Sequence, residues 1–342
     1  MKKAIKYGIA GLGGFGAWRR ASLRKSACFE IVGGVDVREE CFSEAEIEEG
    51  KELKRYPSIE ALVSDPQIEA VFIATPAHLH VQQAMLAAKA GKAIFVEKPL
   101  GHDRAACLEL VEYCEKQNIP HGHGFGIARF SSLWEYVKKL LDEHLLGQVV
   151  SVSVATMQTS GLALPLSNWR FQDGLNPGGP LFQCGIHKID LLRVLFGEGR
   201  WLAGYVNRTI TASPTDDAYV LLGEFGGVPV TLHSHYVASY RHAVEIYGTK
   251  GDLFITEHPT RLEHKISDLT SGFEPVHDIT SQIPYSESDS SGSKEIAKAE
   301  VNSLRDFAYA VRERRQPQMN GREGLKSLDL VFEAAKTATQ IS

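Results

Sequence analysis

The sequence predicts an α/β domain built on a parallel sheet, followed by an α+β domain with an open, mostly antiparallel sheet. Three observations predict it. An apolar strand at residues 4–10 runs straight into Gly11-Leu12-Gly13-Gly14-Phe15-Gly16 and then a helical stretch. Strand and helix patterns alternate over residues 1–124, which implies a parallel sheet covered by helices on both faces. From about residue 149 the apolar period becomes two, the mark of half-buried strands. At 342 residues the chain exceeds the size at which one core stops growing. The expected division is therefore residues 1–124 and residues 125–342, with the final helices able to pack back on the first domain.

The first strand alternates Ile5, Tyr7 and Ile9. Strand, glycine turn and helix (residues 17–27) form the context in which a GxGxxG string is a dinucleotide fingerprint. Gly11 permits the tight turn, Gly13 lets the backbone approach a phosphate, and Gly16 lets helix and strand pack closely. Leu12, Gly14 and Phe15 complete the loop. The helix N-terminus offers N–H groups and a positive dipole end to a pyrophosphate. A second strand, residues 31–35, ends in Asp36, 20 residues after Gly16. An acid there hydrogen-bonds the adenosine ribose hydroxyls and repels a 2′-phosphate, so NAD is the expected cofactor. Arg38 keeps NADP open: it either pairs with that phosphate or is a solvated charge opening the acidic helix 39–49.

Further elements follow in order: strand 69–74, helix 78–90 closed by Gly91, strand 93–96, helix 103–117 capped by Asp103, and a short strand 121–123. Ligands of such sheets bind at the carboxyl ends of the strands, so Gly11, Asp36, Thr75 and Glu97-Lys98 are expected in one crevice. After a helix at 132–146, strands are expected at 149–155, 201–212, 218–225, 228–236, 243–247 and 253–257. Gly226-Gly227 and Gly248-Thr249-Lys250-Gly251 are expected as hairpin turns. Helices at 294–314 and 322–341 close the chain, and the polar stretch 286–293 reads as a surface loop.

Composition narrows the function classes. A net charge of −5 gives no reason to expect nucleic acid or an anionic membrane as partner. No run of 18 apolar residues exists to span a bilayer. Lys2, Lys3 and Lys6 precede too short an apolar stretch for a signal peptide, and Arg19-Arg20 has no apolar run behind it. Five cysteines without a CxxC fit a reducing cytosol, so a cytoplasmic protein is expected. The pairs His78/His80, His121/His123 and His233/His235 suggest metal, but no cysteine or carboxylate lies at ligand spacing, so none is expected.

Hydride removal from a secondary alcohol needs a proton acceptor and a donor that holds the oxygen as charge builds on it. Lys98 suits the donor role. It ends a buried strand, and Pro99 restricts the backbone around it; a plain surface strand end is the other reading. Glu97 contacts the cofactor, fixes Lys98, or forms a structural salt bridge. A free imidazole titrates near neutrality, so His187 is the best candidate for general acid/base, against the reading of a structural histidine. Asp190, three residues on, shares its face if residues 185–196 are helical. It then orients His187 or binds a substrate hydroxyl. Cys184, Cys107 and Cys114 read as packing.

Several ordered motifs run along nearly the whole chain: GxGxxG, Thr75-Pro76 followed by His80, Glu97-Lys98-Pro99, Arg129-Phe130, Trp169-Arg170 before Gly178-Gly179, Gly185-Ile186-His187 with Asp190, and Tyr247-Gly248-Thr249-Lys250-Gly251. In this order they resemble the Gfo/Idh/MocA family. The resemblance implies a Rossmann domain followed by an open, mostly antiparallel sheet domain, sugar or polyol substrates, and homodimers or homotetramers that pack through their sheets. It strengthens Lys98 and His187 as catalytic residues. It implies cofactor contacts at Thr75, Pro76, His80 and Glu97, and substrate contacts among Lys98, Arg129, Trp169, Arg170, Gln183, His187 and Asp190. Core packing or a structural ion pair are equal readings for Trp169 and Arg170, and a helix-cap charge is the other reading for Arg129. The chain departs from the family at Gln183, where an aspartate is common: a Gln cannot be a base, so Lys98 gains weight. The expected activity is NAD(P)-dependent dehydrogenation or reduction of a sugar, polyol or sugar derivative. The alternatives are an NAD-dependent glycoside hydrolase of the same fold, using transient oxidation and elimination, and a non-catalytic nucleotide sensor.

Overall fold

The computed structural model describes residues 3–172, 174–209, 215–267, 275–284 and 292–340. Most of the polar stretch 286–293, the end of the expected strand 201–212, and residue 341 lie outside them. The chain divides into two compact units. One holds residues up to Gly126 together with Glu300–Lys326; the other holds Ile127–Ala299 and the residues from Ser327 onward.

The first unit is a six-stranded parallel sheet: β1 (Ile5–Ala10), β2 (Phe29–Val35), β3 (Lys54–Arg55), β4 (Ala70–Ile73), β5 (Ala93–Val96) and β6 (His121–His123). Its order is β3-β2-β1-β4-β5-β6. Strands β4 and β5 are buried throughout and read as unbroken apolar runs, as a sheet covered on both faces requires. The connections are α1 (Phe15–Ser26), α2 (Glu39–Glu49), α3 (Ile59–Val63), α4 (Ala77–Lys89) and α5 (Arg104–Lys116). Asp103 caps α5 by accepting from the Ala106 N–H at 2.7 Å. Strand β3 and helix α3 have no counterpart in the sequence reading. Two exposed charged residues and a five-residue helix are too short for a period to register.

Chain closure completes this core. In α10 (Gly292–Glu313), Phe307 stands 6.1, 5.8 and 5.3 Å between ring centroids from Phe29, Phe72 and Phe95. Each such fully buried ring contributes about 1.5–3 kcal/mol. The C-terminal segment is thus part of the first core, not an appendage.

The second unit opens with α6 (Ile127–Phe130) and α7 (Ser132–Asp142). Its nine-stranded sheet consists of β7 (Val149–Met157), β8 (Gly199–Asn207), β9 (Ala218–Phe225), β10 (Val228–His235), β11 (Arg241–Gly248), β12 (Gly251–Glu257), β13 (Thr260–Ile266), β14 (Val276–Asp278) and β15 (Ala338–Gln340). The order is β14-β13-β12-β11-β7-β10-β9-β8-β15. Six of the expected strands are present, and the sheet is mostly antiparallel, but β7–β10 and β8–β15 pair in parallel. Gly226 and Gly227, at φ 55° and 81°, make the tight β9–β10 hairpin. The short α8 (Ser160–Ala163) follows β7, and α9 (Ile186–Phe196) is preceded by one π turn over Leu181–Gly185. Strand β13 escapes sequence reading because only Leu262 and His264 of its seven residues turn inward. Helix α11 (Gly321–Thr337) ends earlier than its pattern suggests, since residues 338–340 are drawn into the ladder beside β8.

Candidate active site

The glycine turn is tighter than its spacing reveals. Gly11, at φ +89°, lies against the Ala74 carbonyl, where a Cβ would sit 2.7 Å from the oxygen. A Cβ on Gly16 would overlap the Gly11 carbonyl oxygen, so the first turn of α1 rests on the turn before it. At Gly13 a Cβ would overlap the Arg38 guanidinium and come within 2.7 Å of Cys41 Sγ, so its bareness also makes room for Arg38. The open approach is at Gly14, φ +52°, with nothing within 4 Å of a built Cβ. Gly14 is the N-cap of α1, which has no side-chain cap and no acidic residue in its first turn. Unsatisfied N–H groups, a positive dipole end and open space fit a pyrophosphate. Leu12 is a core residue with no exposed side chain, so it offers this loop only backbone, and its N–H is already used. Phe15 is 46% exposed and tilts over Trp18.

Asp36 ties the β2 end to this turn. Its Oδ2 accepts from Leu12 N at 2.8 Å and Gly13 N at 3.4 Å; Oδ1 accepts from Arg38 N at 3.0 Å. A carboxylate accepts about four such bonds, which leaves one direction for a ribose hydroxyl. The Arg38 guanidinium, 55% exposed, lies 3.6 Å from Oδ1. Arg20 also serves the loop: its Nη2 donates to Leu12 O at 3.3 Å while Nη1 pairs with Glu48 and Glu49.

The strand order sets Asp36, Gly11, Thr75 and Glu97 along one edge of the parallel sheet, after β2, β1, β4 and β5. Pro76 caps α4, and the Thr75 hydroxyl donates to Gln83 Oε1 at 2.6 Å. His80, 1% exposed, faces inward: Nδ1 lies 2.9 Å from Pro99 O and Nε2 2.7 Å from Thr75 O. It pins the ends of two strands rather than presenting a ring nitrogen outward. Burial lowers its pKa, although both carbonyls work the other way. Glu97 is buried as an ion pair with Arg19 Nε, the salt-bridge reading of the three weighed from sequence. Arg19, wholly buried, also bonds Glu300 Oε2 at 2.9 Å. Lys98 follows, half-buried, with a cis peptide to Pro99.

In the second unit His187 is half-buried in the first turn of α9, and Gln183 stands in the π turn before it. Gln183 Oε1 accepts from Arg170 Nε at 3.1 Å, and its Nε2 donates to Asn176 Oδ1 at 2.9 Å. Asn176 in turn donates to Arg170 O at 2.8 Å. Gln183 thus orients Arg170, whose guanidinium lies 4.8 Å from the Trp169 ring centroid. Asp190 is 1% exposed and accepts from Arg129 Nη1, from the Ser327 hydroxyl at 3.0 Å and from Arg193 Nη1 at 3.5 Å. Burial pushes its carboxyl up against these partners. Asp190 and Arg129 therefore meet each other as an internal ion pair. Next to His187, the buried Lys188 ammonium bonds Glu257 at 2.6 Å, and Trp134 Nε1 donates to the same carboxylate at 3.2 Å. Burial works to raise the Glu257 carboxyl, but Lys188 and His242 overcome it and hold it well below the usual range.

Arg19, Arg20, Glu300, Asn176, Lys188 and Glu257 are absent from the sequence-based site. Arg19-Arg20 was visible as a basic pair in the fingerprint helix, but nothing in spacing links Arg19 to a glutamate 281 residues away. Among the described residues no cluster of three His, Cys, Asp or Glu is arranged to hold a metal, and no helix is long and apolar enough to cross a membrane.

Residues 5–125 match the family model described as the oxidoreductase family, NAD-binding Rossmann fold, and residues 134–254 match the GFO/IDH/MocA C-terminal domain. Levoglucosan dehydrogenase of Pseudarthrobacter phenanthrenivorans is 29% identical over 223 residues, 56% of each chain, so the match spans little more than half of that relative. Inositol 2-dehydrogenase of Rhizobium meliloti is 25% identical over 351 residues, 98% of this chain and 97% of its own. A solved levoglucosan dehydrogenase, complexed with NADH and levoglucosan, superposes with a TM-score of 0.83 at 23% identity over 98% of this chain and 97% of its own, a likeness of fold. With an NAD-binding Rossmann unit, a mixed and mostly antiparallel open sheet, and both family models matched in sequence order, the chain belongs to the Gfo/Idh/MocA oxidoreductase family.

Proposed function

We propose that the protein is an NAD(P)-dependent oxidoreductase acting on a CH–OH group of a sugar, polyol or sugar derivative, with NAD the first cofactor and NADP the second. Bound nicotinamide supplies or accepts the hydride. The single observation that supports this most is the half-buried Lys98 at the carboxyl end of β5, in the same strand-end row as the Gly14 opening and Asp36. An amine there donates a hydrogen bond to the reacting oxygen and stabilises the charge that develops on it. The α1 N-terminus binds the pyrophosphate, Asp36 the ribose, and Arg38 selects for or against a 2′-phosphate. His187 is the second proton-handling group. Arg170, held by Gln183 and Asn168, and Trp169 bind substrate hydroxyls and sugar faces. Asp190 and Arg129 support this set as a buried pair. The family relatives named dehydrogenases of levoglucosan and inositol favour small polyhydroxylated substrates.

Tyr205, Val220 and Leu222 sit exposed on the outer face of the nine-stranded sheet, in register across β8 and β9 for Tyr205 and Val220. This apolar face supports association of copies of the chain, which size-exclusion chromatography with light scattering tests.

The decisive test of function is a screen for NAD(P)H formation and consumption with polyols, aldoses, sugar acids and nucleotide sugars, on wild type and Lys98→Met. Turnover with at least one class, lost in Lys98→Met, is expected. No turnover with any class, or undiminished turnover in Lys98→Met, overturns the reading.

A further inference from the structure

Arg170 is the exception among the arginines of the second unit. Arg129, Arg193, Arg200, Arg208, Arg241 and Arg261 each meet a carboxylate. Among the described residues Arg170 meets none. Its partners are neutral: Nε donates to Gln183 Oε1 at 3.1 Å, Nη1 donates to Asn168 Oδ1 at 3.4 Å, and the Trp169 ring centroid lies 4.8 Å from the guanidinium carbon. The side chain is nevertheless half-buried, and burial lowers its pKa, with only the Cys184 thiol working the other way. At Arg19 burial acts in the same direction and two carboxylates overcome it. A cation drawn out of water without a counter-charge is costly. An anion that arrives from outside removes that cost.

The cation is also held in a fixed orientation. Gln183 Nε2 donates to Asn176 Oδ1 at 2.9 Å, and Asn176 Nδ2 donates to the Arg170 carbonyl at 2.8 Å, which closes a loop of hydrogen bonds on Arg170 itself. The loop engages Nε. One hydrogen of Nη1 and both of Nη2 are left, so the outer end of the fork is open to two parallel bonds with a carboxylate.

We propose that the Nη1–Nη2 edge of Arg170 binds the carboxylate of a sugar acid, which makes acidic sugars or polyols the substrate class. The proposal rests on the placing of Arg170 in the substrate site given above, and narrows its ligand from a hydroxyl to an anion. One guanidinium balances one negative charge. A phosphate monoester carries up to about two near neutrality, and Asn168, Trp169, Asn176 and Gln183 supply no second cation. Gln183 stands about one helical turn before His187, which keeps the anion and His187 within the span of one small molecule.

The experiment is titration calorimetry on the protein saturated with NADH, which prevents oxidation of the ligand. The probes are matched acid and neutral pairs: gluconate with glucitol, galactonate with galactitol, and methyl glucuronoside with methyl glucoside. Glucitol 6-phosphate is the more highly charged probe. Wild type, Arg170→Met and Gln183→Glu are compared, with melting temperatures recorded. In wild type the acid of at least one pair should bind about tenfold or more tightly than its neutral partner, as a charge-assisted hydrogen bond implies. Arg170→Met should lose this preference. Gln183→Glu sets a carboxylate against Arg170 Nε, so it should lose the preference as well, without a lower melting temperature. No preference for the acid in any pair overturns the proposal. So does a preference that survives in Arg170→Met, or tighter binding of the phosphate than of every acid. An acid preference in a protein that turns over no substrate upholds the anion site and removes the dehydrogenase reading. Turnover of neutral polyols alone upholds that reading and overturns the anion site.

Discussion

Replacing Asp36 with alanine removes the group that ties strand β2 to the glycine turn and that is proposed to bind the ribose. The carboxylate accepts three backbone N–H bonds, from Leu12, Gly13 and Arg38, and has one direction left for a ribose hydroxyl. A hydrogen bond to a charged acceptor contributes about 1.5–3 kcal/mol. Losing the ribose bond should therefore weaken NAD by about 10- to 150-fold, at about 1.4 kcal/mol per tenfold. The 2.8 Å bond from Leu12 holds the loop, so its loss also softens the turn; the 3.4 Å contact from Gly13 adds little. NADP should respond differently. Asp36 no longer draws on the Arg38 guanidinium, now 3.6 Å from its Oδ1 and 55% exposed, nor repels a 2′-phosphate. Isothermal titration calorimetry with NAD and NADP on wild type and Asp36→Ala gives both constants. An NAD affinity within twofold of wild type refutes ribose recognition by Asp36. Equal losses for both coenzymes refute selectivity and assign the whole effect to the loop.

Three further outcomes follow from burial and packing. Gly16→Ala drives a methyl group into the Gly11 carbonyl, which is backbone and cannot turn aside; overpacking of this kind costs about 1–3 kcal/mol, and calorimetry should show a melting temperature several degrees lower with NAD bound at least tenfold more weakly. Asp190→Asn takes a buried carboxylate away from Arg129 and Arg193, of which Arg193 keeps its pair with Glu198, so stability should fall in urea titration by at most the roughly 3–5 kcal/mol of a broken buried pair while KM of the folded enzyme changes less than threefold; a large rise in KM at unchanged stability would return Asp190 to the substrate site. His123 is held down to about 3 by burial, against about 6.5 unfolded. Unfolding therefore takes up a proton between those values, and stability falls as pH drops from 6.5, by up to about 1.4 kcal/mol per pH unit. His123→Asn should flatten that slope in urea titrations between pH 6.5 and 4, and an identical slope would show that His123 is not the group responsible.

The division between legible and illegible features has a physical pattern. Helix α2 at residues 39–49 and strands β5 and β9 could be bounded to the residue, because an acidic run, an apolar run and an alternating run there end at clear chain punctuation. Asp103 could be recognised as a cap, because its acceptor serves an N–H three residues away. Strands β13, β14 and β15 could not, since polar or very short segments become strands only when a neighbouring ladder offers partners. Within the site, the glycine turn, Asp36 and Lys98 stand out in the sequence because their chemistry is local. Glu97, His80, Asp190 and Arg129 are engaged inside the protein by partners that chain spacing does not reveal.

By itself the sequence determined the order of the elements in the first unit apart from β3 and α3, the glycine loop with its acidic partner, and the lysine at the strand end. Each depends on residues close in the chain, where backbone geometry and period leave few alternatives. Tertiary structure alone decided which charges became internal partners. The return of α10 brings Glu300 to Arg19 and Phe307 into the sheet core, and the fold of the second unit closes Arg129 and Arg193 on Asp190. Whether a polar group faces a ligand or a buried counter-charge depends on what long-range packing brings beside it, and chain spacing carries no record of that.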